Sequence, residues 1–183
     1  MAQIIFLHGA SSSGKSTIAR SLQEQIEKPF WHISIDHLRD AGVLPTSRFR
    51  RGDFHWPDAR AAFFNGFHLS LKAYADAGND LILEHILDTA GWLETLAKLL
   101  ADHDVFFVGV HCPLELLLER EAARGNRPIG SAEQDFRTIH VGKRYDIELD
   151  ALDGTDANVD KILHSWRGGR RSSNFTLSKR MAS

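Results

Sequence analysis

Gly9-Ala10-Ser11-Ser12-Ser13-Gly14-Lys15-Ser16 is the stretch of sequence that decides the fold. It follows the run from Gln3 to Leu7, which is typical of a short buried strand. It precedes a segment in which Ile18, Leu22 and Ile26 recur at the four-residue spacing of a helix. The stretch matches the pattern G-x-x-x-x-G-K-[ST] completely, in the strand, loop and helix context that this motif requires. We therefore predict a phosphate-binding loop.

Each part of this motif has a role in binding phosphate. Its glycines allow backbone N–H groups to converge on phosphate oxygens, and the amino end of the following helix adds a positive dipole. The lysine contacts the β- and γ-phosphates, and the hydroxyl that follows it ligates Mg²⁺. An ordinary serine-rich turn is the alternative, and the complete pattern in its proper context argues against it. The nucleotide-binding residues expected from the motif are Gly9, Ala10, Ser11, Ser12, Ser13, Gly14, Lys15 and Ser16.

Strand-like and helix-like segments alternate along the rest of the chain. Short strands are predicted at Trp31 to Ile35, Asp80 to Leu87, Val105 to His111 and Tyr145 to Leu149. Strands that alternate with helices form a parallel sheet, so we predict an α/β fold of the P-loop kinase type, with five parallel strands and helices on both faces. We expect one domain over residues 1–169, a lid over about residues 120–137, and a polar, disordered tail over residues 170–183.

Composition excludes several classes of protein. With 183 residues, 43% of them hydrophobic, the chain has enough apolar side chains for the core of one domain. The formal net charge of −2 gives no general attraction for nucleic acid, and no apolar run approaches the roughly 20 residues that span a bilayer. Cys112, the one cysteine, cannot form an intramolecular disulfide, and no signal-peptide pattern is present. We expect a cytoplasmic protein whose partner is a small molecule.

Two acidic residues are candidates for the chemistry. Asp36 lies at the predicted end of the second strand, where its carboxylate could accept the proton of an attacking hydroxyl. The spacing supports equally a role as the N-cap of a helix beginning near His37. Glu84 lies inside an apolar run, where a charge is costly unless it is paired or bound to a metal. Glu84 is therefore a candidate for holding Mg²⁺ or orienting the acceptor, and an exposed strand end is the alternative.

Basic residues cluster around the glycine-rich break from Gly125 to Gly130. A flexible segment there could place the guanidinium groups of Arg124 and Arg127 over a transferring phosphoryl group. For Arg120, an ion pair with neighbouring glutamates is the favoured interpretation. The long loop from Gly42 to Pro57, which carries arginines and aromatic residues, is either part of an acceptor pocket or simply exposed.

The sequence resembles the chloramphenicol phosphotransferase-like proteins in several motifs besides the loop. These motifs are Ile33-Ser34-Ile35-Asp36-His37-Leu38, the strand from Val105 to Cys112, the segment from Glu121 to Arg127, and His140 followed by Tyr145 to Asp150. The resemblance covers most of residues 3–166. Members of that family are P-loop kinases, and the founding activity is ATP-dependent phosphorylation of an antibiotic hydroxyl.

The resemblance also implies roles for individual residues. By it, Gly9 to Thr17 hold ATP, Asp36 is the general base, and Arg124 and Arg127 belong to the lid near the phosphates. The chain departs from the family pattern at Glu84-His85, where the chloramphenicol enzyme carries paired acidic residues, and in the loop from Gly42 to Pro57. The resemblance therefore supports the phosphotransferase chemistry better than it supports chloramphenicol as the acceptor.

These observations lead to one hypothesis and two alternatives. The absence of an Asn-Lys-x-Asp guanine-reading motif and the short chain favour a small-molecule kinase over a GTPase or a motor. We expect ATP and Mg²⁺ as cofactors and a small hydroxylated acceptor, such as an antibiotic. One alternative is a kinase with another acceptor, which could be a nucleotide sugar as in zeta-type toxins, a nucleoside or a metabolite. The other is a non-catalytic nucleotide switch. The sequence leaves the oligomeric state open.

Overall fold

A parallel sheet of five strands forms the centre of the protein. The computed structural model describes residues 1–124 and 130–177. The strands are β1 (Gln3–Gly9), β2 (Phe30–Ser34), β3 (Asp80–His85), β4 (Asp104–His111) and β5 (Ile147–Asp150). Their order in the sheet is β2-β3-β1-β4-β5, and every neighbouring pair is parallel. The predicted α/β fold with five parallel strands is confirmed.

Helices connect the strands and cover both faces of the sheet. They are α1 (Lys15–Gln25), α2 (Ile35–Asp40), α3 (Thr46–Arg50), α4 (Trp56–Asp76), α5 (Trp92–Leu99), α6 (Leu114–Arg124), α7 (Ser131–Thr138) and α8 (Thr155–Arg167). Among the described residues, no helix combines the length and the hydropathy needed to cross a membrane.

The two faces of the sheet carry separate cores because side chains alternate along each strand. Phe6 of β1 packs in one core with residues of α4 and α5, such as Leu71 and Leu96. Leu7, the next residue of β1, packs in the other core with residues of α1 and α8, such as Leu22. Because β1 lies between β3 and β4 and is covered on both faces, the loop that leaves it has a rigid support.

The phosphate-loop motif begins at the carboxyl end of this central strand. At Gly9, a Cβ atom would lie 2.4 Å from the carbonyl oxygen of Val110 in β4, so only glycine lets the chain leave the sheet this close to its neighbour. Gly14 has a φ of 97°, in the left-handed region, and α1 starts directly after it. The backbone therefore requires glycine at both motif positions for steric reasons that do not depend on any ligand.

The last described segment packs against the sheet. Phe175 is buried, and its ring centroid lies 5.5 Å from that of Phe6 and 5.1 Å from that of Phe107. The guanidinium of Arg171 donates to the carboxylate of Asp104 at 2.8 and 2.9 Å. This differs from the expected disordered tail over residues 170–183, because the buried ring of Phe175 and the ion pair of Arg171 with Asp104 hold the short polar segment against the sheet. Residues 178–183 lie outside the described part of the chain.

Candidate active site

The phosphate-loop residues form a tight turn between β1 and α1. The ammonium of Lys15 is buried and donates hydrogen bonds to the carbonyl oxygens of Gly9 at 2.8 Å and Ala10 at 2.6 Å. Ser13 is fully buried, and the buried hydroxyl of Ser11 has no hydrogen-bond partner among the described residues. The loop therefore presents its lysine, its hydroxyls and the amino end of α1 at the carboxyl edge of the sheet, where ligands bind in such folds.

A chain of hydrogen bonds links Ser16, the last residue of the loop motif, to β3 and then to β2. The hydroxyl of Ser16 donates to Oε2 of Glu84 at 2.8 Å, and Nε2 of His32 lies 2.5 Å from Oε1 of the same carboxylate. The Glu84 side chain is only 5% exposed, which rules out the alternative of an exposed strand end. Burial acts to raise the pKa of Glu84, but the hydrogen bonds from His32 and Ser16 outweigh it and hold the pKa below its ordinary value. The carboxylate is therefore kept ionised.

Asp36 lies in the first turn of α2, beside the loop. The N-cap of this helix is Ser34, whose hydroxyl accepts a hydrogen bond from the backbone N–H of Asp36 at 3.2 Å. The alternative of Asp36 as the N-cap is therefore wrong, because the helix begins one residue before it. The Asp36 carboxylate is 35% exposed and pairs with Nη1 of Arg39 at 3.1 Å, one turn along α2.

One cavity of about 180 Å³ joins the loop to both carboxylates. Its walls are formed by loop residues and by Ser34, Asp36, Arg39, Phe64, Glu84, His85, Asp88 and Trp92. The guanidinium of Arg60 contacts three of these lining residues: it donates to Asp88, and also to Thr89, at 3.1 Å, and it lies 4.9 Å from the ring centroids of Phe64 and Trp92. The cavity thus has a polar end at the loop and an aromatic wall made by α4 and α5.

A buried histidine pair adjoins the aromatic wall, and one of its two members, His85, lines the cavity. The Nε2 atoms of His68 and His85 lie 2.9 Å apart, and the ring of His85 stacks on that of Trp92 with centroids 5.1 Å apart. Burial lowers the pKa of His68 to about 4, and burial with the charge of a protonated His68 lowers the pKa of His85 to about 3. Both rings are therefore neutral at pH 7, and Nδ1 of His85 is buried with no hydrogen-bond partner in the part of the chain that the structure describes.

The long loop from Gly42 to Pro57 supplies none of the described residues that line this cavity. Arg48 and Arg51 of this loop pair with Asp53 at 3.1 and 3.0 Å, and the ring of Phe49 packs on those of Phe54 and Trp56. Of the two interpretations of this loop, an exposed loop therefore fits the structure better than a part of the acceptor pocket. The cavity walls from α4 and α5 were not predicted, because the helical periodicity that marks Phe64 and Trp92 is equally typical of core residues.

Arg120 contacts the loop directly. Its Nη1 atom donates to the carbonyl oxygen of Ser12 at 3.0 Å, so the favoured ion pair with neighbouring glutamates is wrong. Glu121 instead accepts from the backbone N–H groups of Gly130 and Ala132 near the start of α7. A second cavity, of about 250 Å³, lies between Arg120, the loop and the start of α8. Arg124 is the last residue of α6, with its side chain not described, and Arg127 lies outside the described residues.

Helix α7 also contacts the loop. Oδ2 of Asp135 accepts a hydrogen bond from the backbone N–H of Ser11 at 3.1 Å. This N–H belongs to the motif whose amides bind phosphate oxygens, so a carboxylate lies at the edge of the expected phosphate position.

Together, the strand order, the loop after the central strand and the acidic groups around it define the P-loop kinase class of fold. The chain belongs to the chloramphenicol phosphotransferase-like family, whose model matches residues 2–167. This confirms the resemblance seen in the sequence.

Individual relatives agree with this assignment. A curated protein of Mycobacterium tuberculosis strain H37Rv, named "Putative O-phosphotransferase", is 28% identical in an alignment 181 residues long that covers 88% of this chain and 80% of that protein. A sugar kinase of Janibacter sp. HTCC2649 has a TM-score of 0.65 at 19% identity, covering 91% of this chain and 95% of the other. The APS kinase of M. tuberculosis, solved with AMPPNP and APS, has a TM-score of 0.64 at 19% identity, covering 91% and 98%. The likeness to these structures is one of fold.

Proposed function

We propose that this protein transfers the γ-phosphoryl group of ATP to a hydroxyl group of a small molecule, with Mg²⁺ as cofactor. The observation that carries the proposal is the cavity that joins the phosphate loop, the buried carboxylate of Glu84 and the half-exposed carboxylate of Asp36. The phosphoryl donor needs the loop, the cation needs the carboxylate of Glu84, and the acceptor hydroxyl needs the carboxylate of Asp36. The alternatives of a nucleotide switch and of a GTPase or motor leave Asp36 and the aromatic wall without a role.

The loop residues fit a nucleoside triphosphate. The amide groups from Gly9 to Thr17, together with the amino end of α1, suit phosphate oxygens, and the buried hydroxyl of Ser11, which has no partner within residues 1–124 and 130–177, could donate to one of them. The Lys15 ammonium would exchange the carbonyls of Gly9 and Ala10 for phosphate oxygens. The APS kinase that shares this fold was solved with an ATP analogue, which supports the same use of the loop here.

The residues also fit Mg²⁺, because hydroxyl and carboxylate oxygens are the ligands that this cation prefers. Ser16 and Glu84 provide these atoms 2.8 Å apart. When bound, the cation supplies neutralisation of the charge on the phosphate oxygens. Glu84 is ionised and buried, so it offers a full negative charge where little water competes with the cation.

Asp36 is proposed as the general base. Its carboxylate would accept the proton of the acceptor hydroxyl as the oxygen forms a bond to the γ-phosphorus, while the bond to the β–γ bridging oxygen breaks and ADP leaves. Arg39 holds the carboxylate in place through its 3.1 Å contact. Lys15 would stabilise the charge on the transferring group, and Arg124 and Arg127 are proposed to do so from the lid.

The aromatic wall indicates a second property of the acceptor, besides its hydroxyl group. Phe64, Trp92 and the neutral ring of His85 offer apolar ring faces beside the polar end of the cavity. We therefore expect an acceptor that joins a hydroxyl group to an apolar or ring-containing part. An antibiotic hydroxyl, which is what the family name suggests, satisfies this requirement, and so does a nucleoside.

Mass spectrometry tests the proposal. Purified protein is incubated with Mg·ATP and a panel of hydroxylated ring compounds, including chloramphenicol and nucleosides, and products are searched for a gain of one phosphoryl group. Asp36→Asn should bind ATP as the wild type does and lose at least about 100-fold in transfer, the usual contribution of a general base. Lys15→Ala should lose both binding and transfer. Transfer at the wild-type rate by Asp36→Asn would remove this residue from the mechanism.

A further inference from the structure

His32 lies on the edge strand β2, next to the strand that carries Glu84. In the register of β2 and β3, His32 is opposite Ile82 and Ser34 is opposite Glu84, so the His32 and Glu84 side chains lie on the same face of the sheet, two residues apart along it. A glutamate and a histidine are long enough to bridge this diagonal, and Nε2 of His32 lies 2.5 Å from Oε1 of Glu84. The contact follows from the topology of the sheet.

The two oxygens of the Glu84 carboxylate have different partners. His32 contacts Oε1, while the hydroxyl of Ser16 contacts Oε2. The side chains of His32 and Glu84 are 7% and 5% exposed, so little water is available to replace either contact. On its other side, the His32 ring packs edge-on against His37, with centroids 4.6 Å apart. The imidazole is therefore fixed and holds the carboxylate in one rotation.

We propose that His32 is a positioning residue for the cation site: its N–H group fixes Glu84 with Oε2 directed at the Ser16 hydroxyl. This inference rests on the proposed function, in which Ser16 and Glu84 hold Mg²⁺. Residues that hydrogen-bond to metal-binding side chains typically change metal affinity by about 10- to 100-fold when they are replaced. Without His32, the carboxylate would keep one partner and could rotate away from the loop.

The test measures binding, so it needs no acceptor. Isothermal titration calorimetry gives the affinity for AMPPNP in excess EDTA and, separately, the apparent affinity for Mg²⁺ at saturating AMPPNP. His32→Phe keeps an aromatic ring but removes the N–H donor, and we expect it to weaken Mg²⁺ binding by about 10-fold or more while AMPPNP binding in EDTA changes less than about twofold. His32→Gln retains an N–H donor and should recover part of the loss. His37→Phe is the matched control, because it alters the neighbouring ring without touching Glu84.

A double-mutant cycle separates positioning from general damage. If His32 acts through Glu84, adding His32→Phe to Glu84→Gln should cause no further loss of Mg²⁺ affinity. The proposal is overturned if His32→Phe binds Mg²⁺ like the wild type, if it weakens AMPPNP binding equally in EDTA, or if the two losses add. Failure of the wild-type protein to bind AMPPNP at all would instead overturn the proposed function.

Discussion

Removal of the Asp135 carboxylate should tighten the binding of ATP. Asp135 of α7 accepts a hydrogen bond from the backbone N–H of Ser11 at 3.1 Å. A phosphate oxygen that uses this N–H must displace the carboxylate, and the two negative groups also repel each other. The resting contact and the incoming phosphate therefore compete for one donor.

The size of the effect follows from the geometry of the contact. A hydrogen bond to a charged group contributes roughly 1.5–3 kcal/mol, and partial exposure of Asp135 reduces this to about 1 kcal/mol through screening by water. By the relation between free energy and affinity, Asp135→Ala should lower the Kd for AMPPNP by about fivefold. The gain should be larger in EDTA, because no cation then offsets the repulsion between the carboxylate and the phosphates.

Isothermal titration calorimetry with AMPPNP, with and without Mg²⁺, measures this gain. Glu133→Ala is the matched control, because it removes a negative charge from the same helix, where Glu133 pairs with Arg137 and not with the loop. Equal or weaker binding by Asp135→Ala would refute the reasoning, since it would show that the carboxylate assists the nucleotide or is irrelevant to it.

Two further predictions concern stability. Phe175→Ala should lower the free energy of unfolding by about 3 kcal/mol in urea titrations, because the buried ring leaves a cavity. Leu177→Ala is the control: Leu177 is 38% exposed, so this change should alter the free energy of unfolding by less than about 0.5 kcal/mol. Equal stabilities of the wild type and Phe175→Ala would show that the last segment does not stabilise the fold. His68 is held neutral in the folded protein by a pKa lowered from 6.5 to about 4, so the unfolded chain binds a proton that the folded protein excludes, and stability should fall as the pH drops through this range. Between neutral pH and about pH 5, the free energy of unfolding of His68→Phe should fall by at least about 1 kcal/mol less than that of the wild type. An equal fall in both proteins would contradict the lowered pKa of His68.

The fold was predictable because its signals are local. The complete motif from Gly9 to Ser16 and the regular alternation of strands and helices are both read along the chain, and both are present in the structure. The segment around Phe175 was missed because one aromatic residue among polar neighbours has no periodicity. Its burial depends on a gap at the sheet that only the assembled fold creates.

The sequence predicted the loop, Glu84 and Asp36 of the candidate site, but not its aromatic wall. Glu84 was expected to need a partner because a charge inside an apolar run is costly, and the structure supplies two partners. The sequence did not identify Ser16 or His32 as the partners of Glu84. The contact with His32, for example, depends on β2 lying beside β3 in the sheet. Arg120 was misassigned for the same reason: its glutamate neighbours are adjacent in sequence, whereas the carbonyl of Ser12 is adjacent in space.

This asymmetry has a physical origin. A phosphate-binding loop uses backbone amides, which a short motif fully specifies, whereas the proposed acceptor would meet side chains of the cavity from α2, α4, α5 and the end of β3. Substitutions in those helices can change the aromatic wall without changing the loop motif, because Phe64 of α4 and Trp92 of α5 pack on each other and neither belongs to that motif. Family membership therefore constrains the reaction more tightly than the acceptor, and the acceptor has to be sought with compounds chosen for the shape of this wall.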